Sequence, residues 1–299
     1  MDPLIAWALI GGSFLVAIVV GLTGMGGGAL MTPMMMLFFN VPPLAAVSSD
    51  LVASAVMKPV GGVVHLRRGT VNLRLVGWLC AGSVPAAFCG VFLARAFAVT
   101  DAVKYALGVA LLLAVAGMAI KAWLGSRGGP GGTATPHEIS VRPIPTLLVG
   151  MVGGVVVGVS SVGSGSLIIV ALLVLYPALK ANQLVGTDLV QAVPLVVSAA
   201  LGHLLFGDFR MDLTVSLLIG SIPGVYLGAR ISSRAPGGLI RAVLAIVLLA
   251  SALKLLGAND ALTVGALAAA ALVTVIGWRL RVRAAARASS GSTDLEPAR

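Results

Sequence analysis

The chain has 299 residues, 59% of them hydrophobic and only 10% charged, with a mean hydropathy of +1.07. Soluble domains carry about 25% charged residues, so this composition excludes a soluble enzyme, a disordered chain and a nucleic-acid binder built on a basic face. The formal charge of +10 must then be read by its placement. The 38 glycines suit a polytopic membrane bundle, where small residues let helices approach closely.

The first residues, Met1-Asp2-Pro3-Leu4, lack the positive leading region of a signal peptide, so the first apolar run is expected to be retained. Runs near the length of a bilayer crossing, about 20 residues, lie near 5–22, 44–65, 75–93, 104–123, 144–160, 183–205, 212–230, 239–256 and 260–278. Two shorter runs, 29–39 and 166–178, each follow a Gly/Ser-rich break. Cys80 and Cys89 share one apolar segment on opposite helix faces, which implies neither a disulfide nor a metal pair. Residues 125–143 read as a polar linker and 281–299 as a disordered tail.

The two halves repeat. GLTGMGGGAL (21–30) aligns with GVSSVGSGSL (158–167) at an offset of 137, and one further residue shifts the offset to 138. Asp50 then meets Asp188, His65 meets His203, Gly82 meets Gly220, Pro85 meets Pro223 and Gly90 meets Gly228. Twelve of the 41 positions between 50 and 90 are identical, the polar Asp and His among them, which favours a duplication over chance apolar similarity.

Charge decides the relative orientation of the halves, because Lys and Arg concentrate on the cytoplasmic side. If the short runs cross, each half has five segments. Fifteen Lys and Arg then lie on the cytoplasmic side and four outside, with Lys58 left in the membrane. If they do not cross, the division is eight to eleven. The expected fold is therefore an all-α transmembrane bundle of two inverted repeats, 1–124 and 144–257, joined by a cytoplasmic linker. An extra helix at 258–280 follows, with a cytoplasmic C-terminus. Inverted repeats with a midplane site are a recurrent secondary-transporter plan.

Candidate binding residues fall at matched positions. Met25, Gly26, Gly27 and Gly28 in one break, and Gly163, Ser164, Gly165 and Ser166 in the other, can unwind the backbone and turn N–H groups and a helix N-terminus toward an anion. Turn or packing glycines are the bland alternative. Ser48, Ser49 and Asp50, with Thr187, Asp188 and Gln191, sit just inside equivalent segments, and an intramembrane carboxylate is a functional candidate by default. Helix capping is the competing role for these hydroxyls and carboxylates. His65 and His203 suit proton-linked gating or helix-end capping. Lys58, matched by Val196, suits anion attraction, an ion pair or snorkelling. No nucleophile–base constellation, metal motif or nucleotide loop occurs, so no catalytic residue, metal or cofactor is expected.

The paired GLTGMGGGAL and GVSSVGSGSL segments, each followed by a short apolar run and then SSDL or GTDL, resemble the sulfite exporter TauE/SafE family. The likeness covers roughly residues 5–256. It implies a transporter of small sulfur-containing anions, such as sulfite, sulfoacetate or another organosulfonate, in the bacterial inner membrane. The expected partners are the anion, membrane lipids and protons as a candidate coupling ion, with no nucleic acid. A gated anion channel, or a carrier of a different small organic anion, is the alternative.

Overall fold

The computed structural model describes residues 3–23, 27–67, 69–96, 102–126, 140–163, 165, 167–179, 181–231, 237–272 and 274. Every regular element among them is a helix. The order is α1 (Pro3–Thr23), α2 (Gly28–Phe39), α3 (Pro43–Arg67), α4 (Leu73–Ala96) and α5 (Ala102–Ser126), followed by α6 (Pro143–Ser160), α7 (Leu167–Leu175), α8 (Ala181–Phe206), α9 (Met211–Ile231) and α10 (Gly237–Leu255). These ten belong to one compact unit, Met1–Leu256. In the second unit, Gly257–Arg299, an apolar helix runs over Asp260–Leu272. Six helices, α1, α4, α5, α6, α8 and α9, contain stretches long and apolar enough to cross a membrane.

The short runs are helices, but short ones. At about 1.5 Å per residue, the 12 residues of α2 and 9 of α7 reach roughly 18 and 14 Å, well below a hydrocarbon core of about 30 Å. Local chemistry stops them. Asn40 takes the left-handed conformation (φ 50°) after α2, and Pro42-Pro43 prevents continuation. α6 starts with Pro143 in its first turn. It ends where Ser161 turns left-handed (φ 59°), followed by Gly163 (φ 125°) and Gly165 (φ 102°).

Small residues choose the helix partners. Gly82 and Gly90 of α4 lie against Leu147, Val155 and Gly158 of α6, while Gly150, Gly154 and Gly158 lie against Leu79, Ser83 and Ala87. A Cβ on Gly82, Gly154 or Gly158 would overlap a facing backbone carbonyl. Gly220, Gly224 and Gly228 of α9 meet Ile10, Phe14 and Ile18 of α1 in the same way. Both seams are parallel pairings, and each joins a helix of one half to a helix of the other. Exchanging the first five helices with the last five maps α4–α6 onto α9–α1, and maps the α3–α8 and α5–α10 pairs onto themselves.

α3 and α8 run antiparallel. Ser48, near the start of α3, bonds His203 near the end of α8, and Gly186, near the start of α8, faces His65 near the end of α3. The two packed clusters of the interior lie around this pair, one on Leu51, Leu195 and Val196, the other on Met31, Met35 and Ala53.

Candidate functional site

The two breaks meet. Gly28, the first residue of α2, packs so tightly on Ser161 that a Cβ would overlap the Ser161 carbonyl. Glycine is required there by the close approach of two backbones. Ser161 holds a left-handed backbone that non-glycine residues seldom adopt, and such outliers cluster at functional sites. This conformation aims its hydroxyl at Asp50, donating to Oδ2 at 2.5 Å. Thr32, one turn into α2, donates to the same oxygen at 3.0 Å. Asp50 is fully buried, and its Oδ1 has no hydrogen-bond partner among the described residues.

Lys58 is buried two turns further along α3 and interacts electrostatically with Asp188, and less strongly with Asp50. The antiparallel register sets Gly62 against Val190 and Val193, so Lys58 lies near the middle of the α3–α8 pair. The carboxylates lie toward its two ends, about 20 Å apart along the axis at ~1.5 Å per residue. Asp50 and Asp188 thus flank the cation instead of sharing one point.

The other expected residues divide between cross-helix links and local caps. Gln191 donates from Nε2 to Ser83 Oγ at 2.7 Å, while its Oε1 is buried with no hydrogen-bond partner among the described residues. Thr187 accepts from the Asn72 N–H at 3.3 Å, and its repeat counterpart Ser49 donates to the Arg210 carbonyl at 3.4 Å. His203 is fully buried, with Nε2 2.8 Å from the Gly158 carbonyl and Nδ1 2.7 Å from Ser48 Oγ. His65 is half-buried and bonded locally, Nδ1 lying 3.0 Å from Thr70 Oγ1. Gly27 and Gly163 flank the meeting point of the breaks, and Gly165 follows in the second. Met25, Gly26, Ser164 and Ser166 lie outside the described residues.

His203 has unusual proton chemistry by geometry. A carbonyl only accepts, so Nε2 carries the hydrogen that faces Gly158. The neutral ring then accepts at Nδ1 from the Ser48 hydroxyl. The imidazolium would instead donate to Ser48 Oγ, whose own hydrogen turns to the Leu44 carbonyl at 2.7 Å. Every polar atom is bonded in either state. Those bonds offset only part of the cost of taking the charged ring out of water.

Thr32 and Ser83 complete the polar interior without having been singled out as site residues. Ser83 has a repeat partner in Ser221, a usable signal hidden within a small-residue stripe. Thr32 has no polar counterpart, since Ile169 or Val170 takes its place. Among the described residues no group of His, Cys, Asp and Glu could hold a metal ion.

A family model described as Sulfite exporter TauE/SafE matches residues 9–255. The chain is 35% identical over 251 residues to the probable membrane transporter protein YjnA of Bacillus subtilis, covering 81% of this chain and 96% of the relative. It is 24% identical over 228 residues to the probable membrane transporter protein YdhB of the same organism, covering 75% and 89%. No solved structure matches. A bundle with six helices long and apolar enough to cross a membrane, and a family model covering nearly all of its compact unit, together assign the chain to the TauE/SafE family of membrane transporters.

Proposed function

We propose that the chain is a proton-linked secondary transporter of a small sulfur-containing anion, sulfite or an organosulfonate such as sulfoacetate, in the bacterial inner membrane. The observation that carries this reading is the meeting of Gly28 with Ser161 beside Asp50, with Lys58 near the middle of the same helix pair. Lys58 supplies the positive charge an oxyanion needs, and the α2 N-terminus adds backbone donors. Two carboxylates oppose that charge. An anion therefore enters more readily when a carboxylate or His203 has taken a proton, which links the two fluxes. The hydrogen-bonded alternatives at His203 suit such a proton site.

Alternating access by rocking of inverted repeats draws support from the α3–α8 pair. Five steps separate these helices in the chain. Opposition requires an odd number of reversals over those steps, as when every helix, α7 included, reverses direction. Without a reversal at α7, repeat-equivalent α3 and α8 would run the same way. The charge bias of the loops supports a cytoplasmic C-terminus.

The test is radiolabelled sulfite or sulfoacetate flux in proteoliposomes with and without an imposed pH gradient. Saturable uptake that rises with the gradient is the expected result. Currents far above carrier turnover would identify a gated anion channel. Absence of flux for every sulfur oxyanion in a folded preparation rejects the substrate class.

A further inference from the structure

A wholly apolar groove of about 250 Å³ lies between the two site helices, with Pro59, Gly62, Val63 and Leu66 of α3 against Val190 and Pro194 of α8. It is open at the side: Val63 and Leu66 are each 44% exposed. Gly62 helps to form it by leaving out a side chain, and Pro59 and Pro194 by interrupting the helix ladders on both sides. From Pro59 to Leu66 it runs roughly 10 Å along α3, at ~1.5 Å per residue.

One end of the groove is basic. Arg67 follows Leu66 in the last turn of α3, and Arg74 stands two residues before Val76, which also lines the groove. Both arginines are exposed, and Trp78 lies one turn below Arg74, 40% exposed. Aromatic rings of this kind sit at the headgroup level of a bilayer. Asp188, the carboxylate nearest in register, is buried at 1% exposure and turned away from the surface.

The duplicated half provides an internal control. There Ala200 and Leu201, each with a larger side chain, replace Gly62 and Val63. Leu205 and Asp212 replace Arg67 and Arg74. The glycine that opens the groove and the two cations beside it occur together in one half and are replaced together in the other.

We propose that the groove holds one acyl chain of an anionic phospholipid whose phosphate lies between Arg67 and Arg74. The site sits on the seam between the helices that carry Asp50, Lys58 and Asp188, beside the proline of each. An occupying lipid fills the space those prolines open and holds α3 against α8.

Native mass spectrometry and thermal unfolding of the detergent-purified chain test this with phosphatidylglycerol, phosphatidylcholine and inorganic phosphate as separate probes. Phosphatidylglycerol is expected to stay bound and raise Tm, phosphatidylcholine to do so less, and phosphate to do neither. R67Q/R74Q should reduce the preference for phosphatidylglycerol roughly 30-fold, since each of the two basic residues near a membrane surface contributes about fivefold. V63W should weaken both lipids by filling the groove, while L201W on the matching face leaves binding unchanged. The proposal is overturned by wild-type preference in R67Q/R74Q, by wild-type binding in V63W, by loss in L201W equal to that in V63W, or by a full Tm rise with phosphate. None of these readouts depends on transport.

Discussion

The first and second repeats share a scaffold and differ in their polar chemistry. Glycines at equivalent positions, Gly82 with Gly220 and Gly90 with Gly228, press α4 onto α6 and α9 onto α1 alike. The polar positions have drifted apart. Lys58 faces a counterpart Val196, Ser161 a counterpart Gly24, and Ser48 a counterpart Gly186. At these glycine pairs backbone contact leaves no freedom, because a Cβ would meet a facing carbonyl. The polar positions away from these contacts carry no such constraint, so asymmetry collects there. Under the function proposed above, the two halves would offer an anion polar groups of unequal strength.

Five substitutions sharpen that contrast, beginning with the most damaging. Gly82→Leu and Gly220→Leu should be equally severe, each costing more than about 3 kcal/mol through forced separation of a seam. Monodispersity and Tm in detergent provide the measure, and a tolerated change on one side only would break the symmetry of the scaffold. Lys58→Met should reduce anion uptake by roughly 100-fold and lower Tm, since loss of one partner strands a buried charge at about 3–5 kcal/mol. Adding Asp188→Asn to that variant should recover Tm without recovering uptake; no recovery would separate the two residues energetically.

Asp188→Asn by itself should lower Tm, since Lys58 loses its nearer counter-charge, and should remove the dependence of uptake on a pH gradient. Unchanged gradient dependence would return Asp188 to a capping role. The smallest effect is expected at Ser48→Gly, which gives α3 the residue found at Gly186. It removes the Nδ1 partner of His203 and should lower stability by about 1–3 kcal/mol. Equal Tm values for this variant and the wild type would mean that water replaces the hydroxyl.

Much of the architecture was legible from the chain. Long apolar runs announced the spanning helices, and the Gly/Ser breaks located α2 and α7. The choice of helix partners was not, because the spacing at Gly150, Gly154 and Gly158 says that a neighbour comes close without saying which one. Repetition also exposed Asp50, Asp188, His65 and His203, yet it could not show their unequal settings. His203 is buried because Ser48 and the Gly158 carbonyl receive its two nitrogens. His65 faces Gly186 instead and turns to Thr70 in its own loop. Thr32 escaped notice because a lone threonine in an apolar helix has no repeat partner to mark it.

The glycine seams also have a consequence for synthesis. α1 ends at Thr23, and its partner α9 is complete only at Ile231. At about 5–20 residues per second, roughly 10–40 s pass before α1 can close its seam. Throughout that interval its contact face, Ile10, Phe14 and Ile18, must rest against lipid or insertion machinery. α6 has no such delay, since α4 precedes it. The nascent chain therefore has a built-in order of assembly, with the α4–α6 seam closing first and the earliest helix docking among the last.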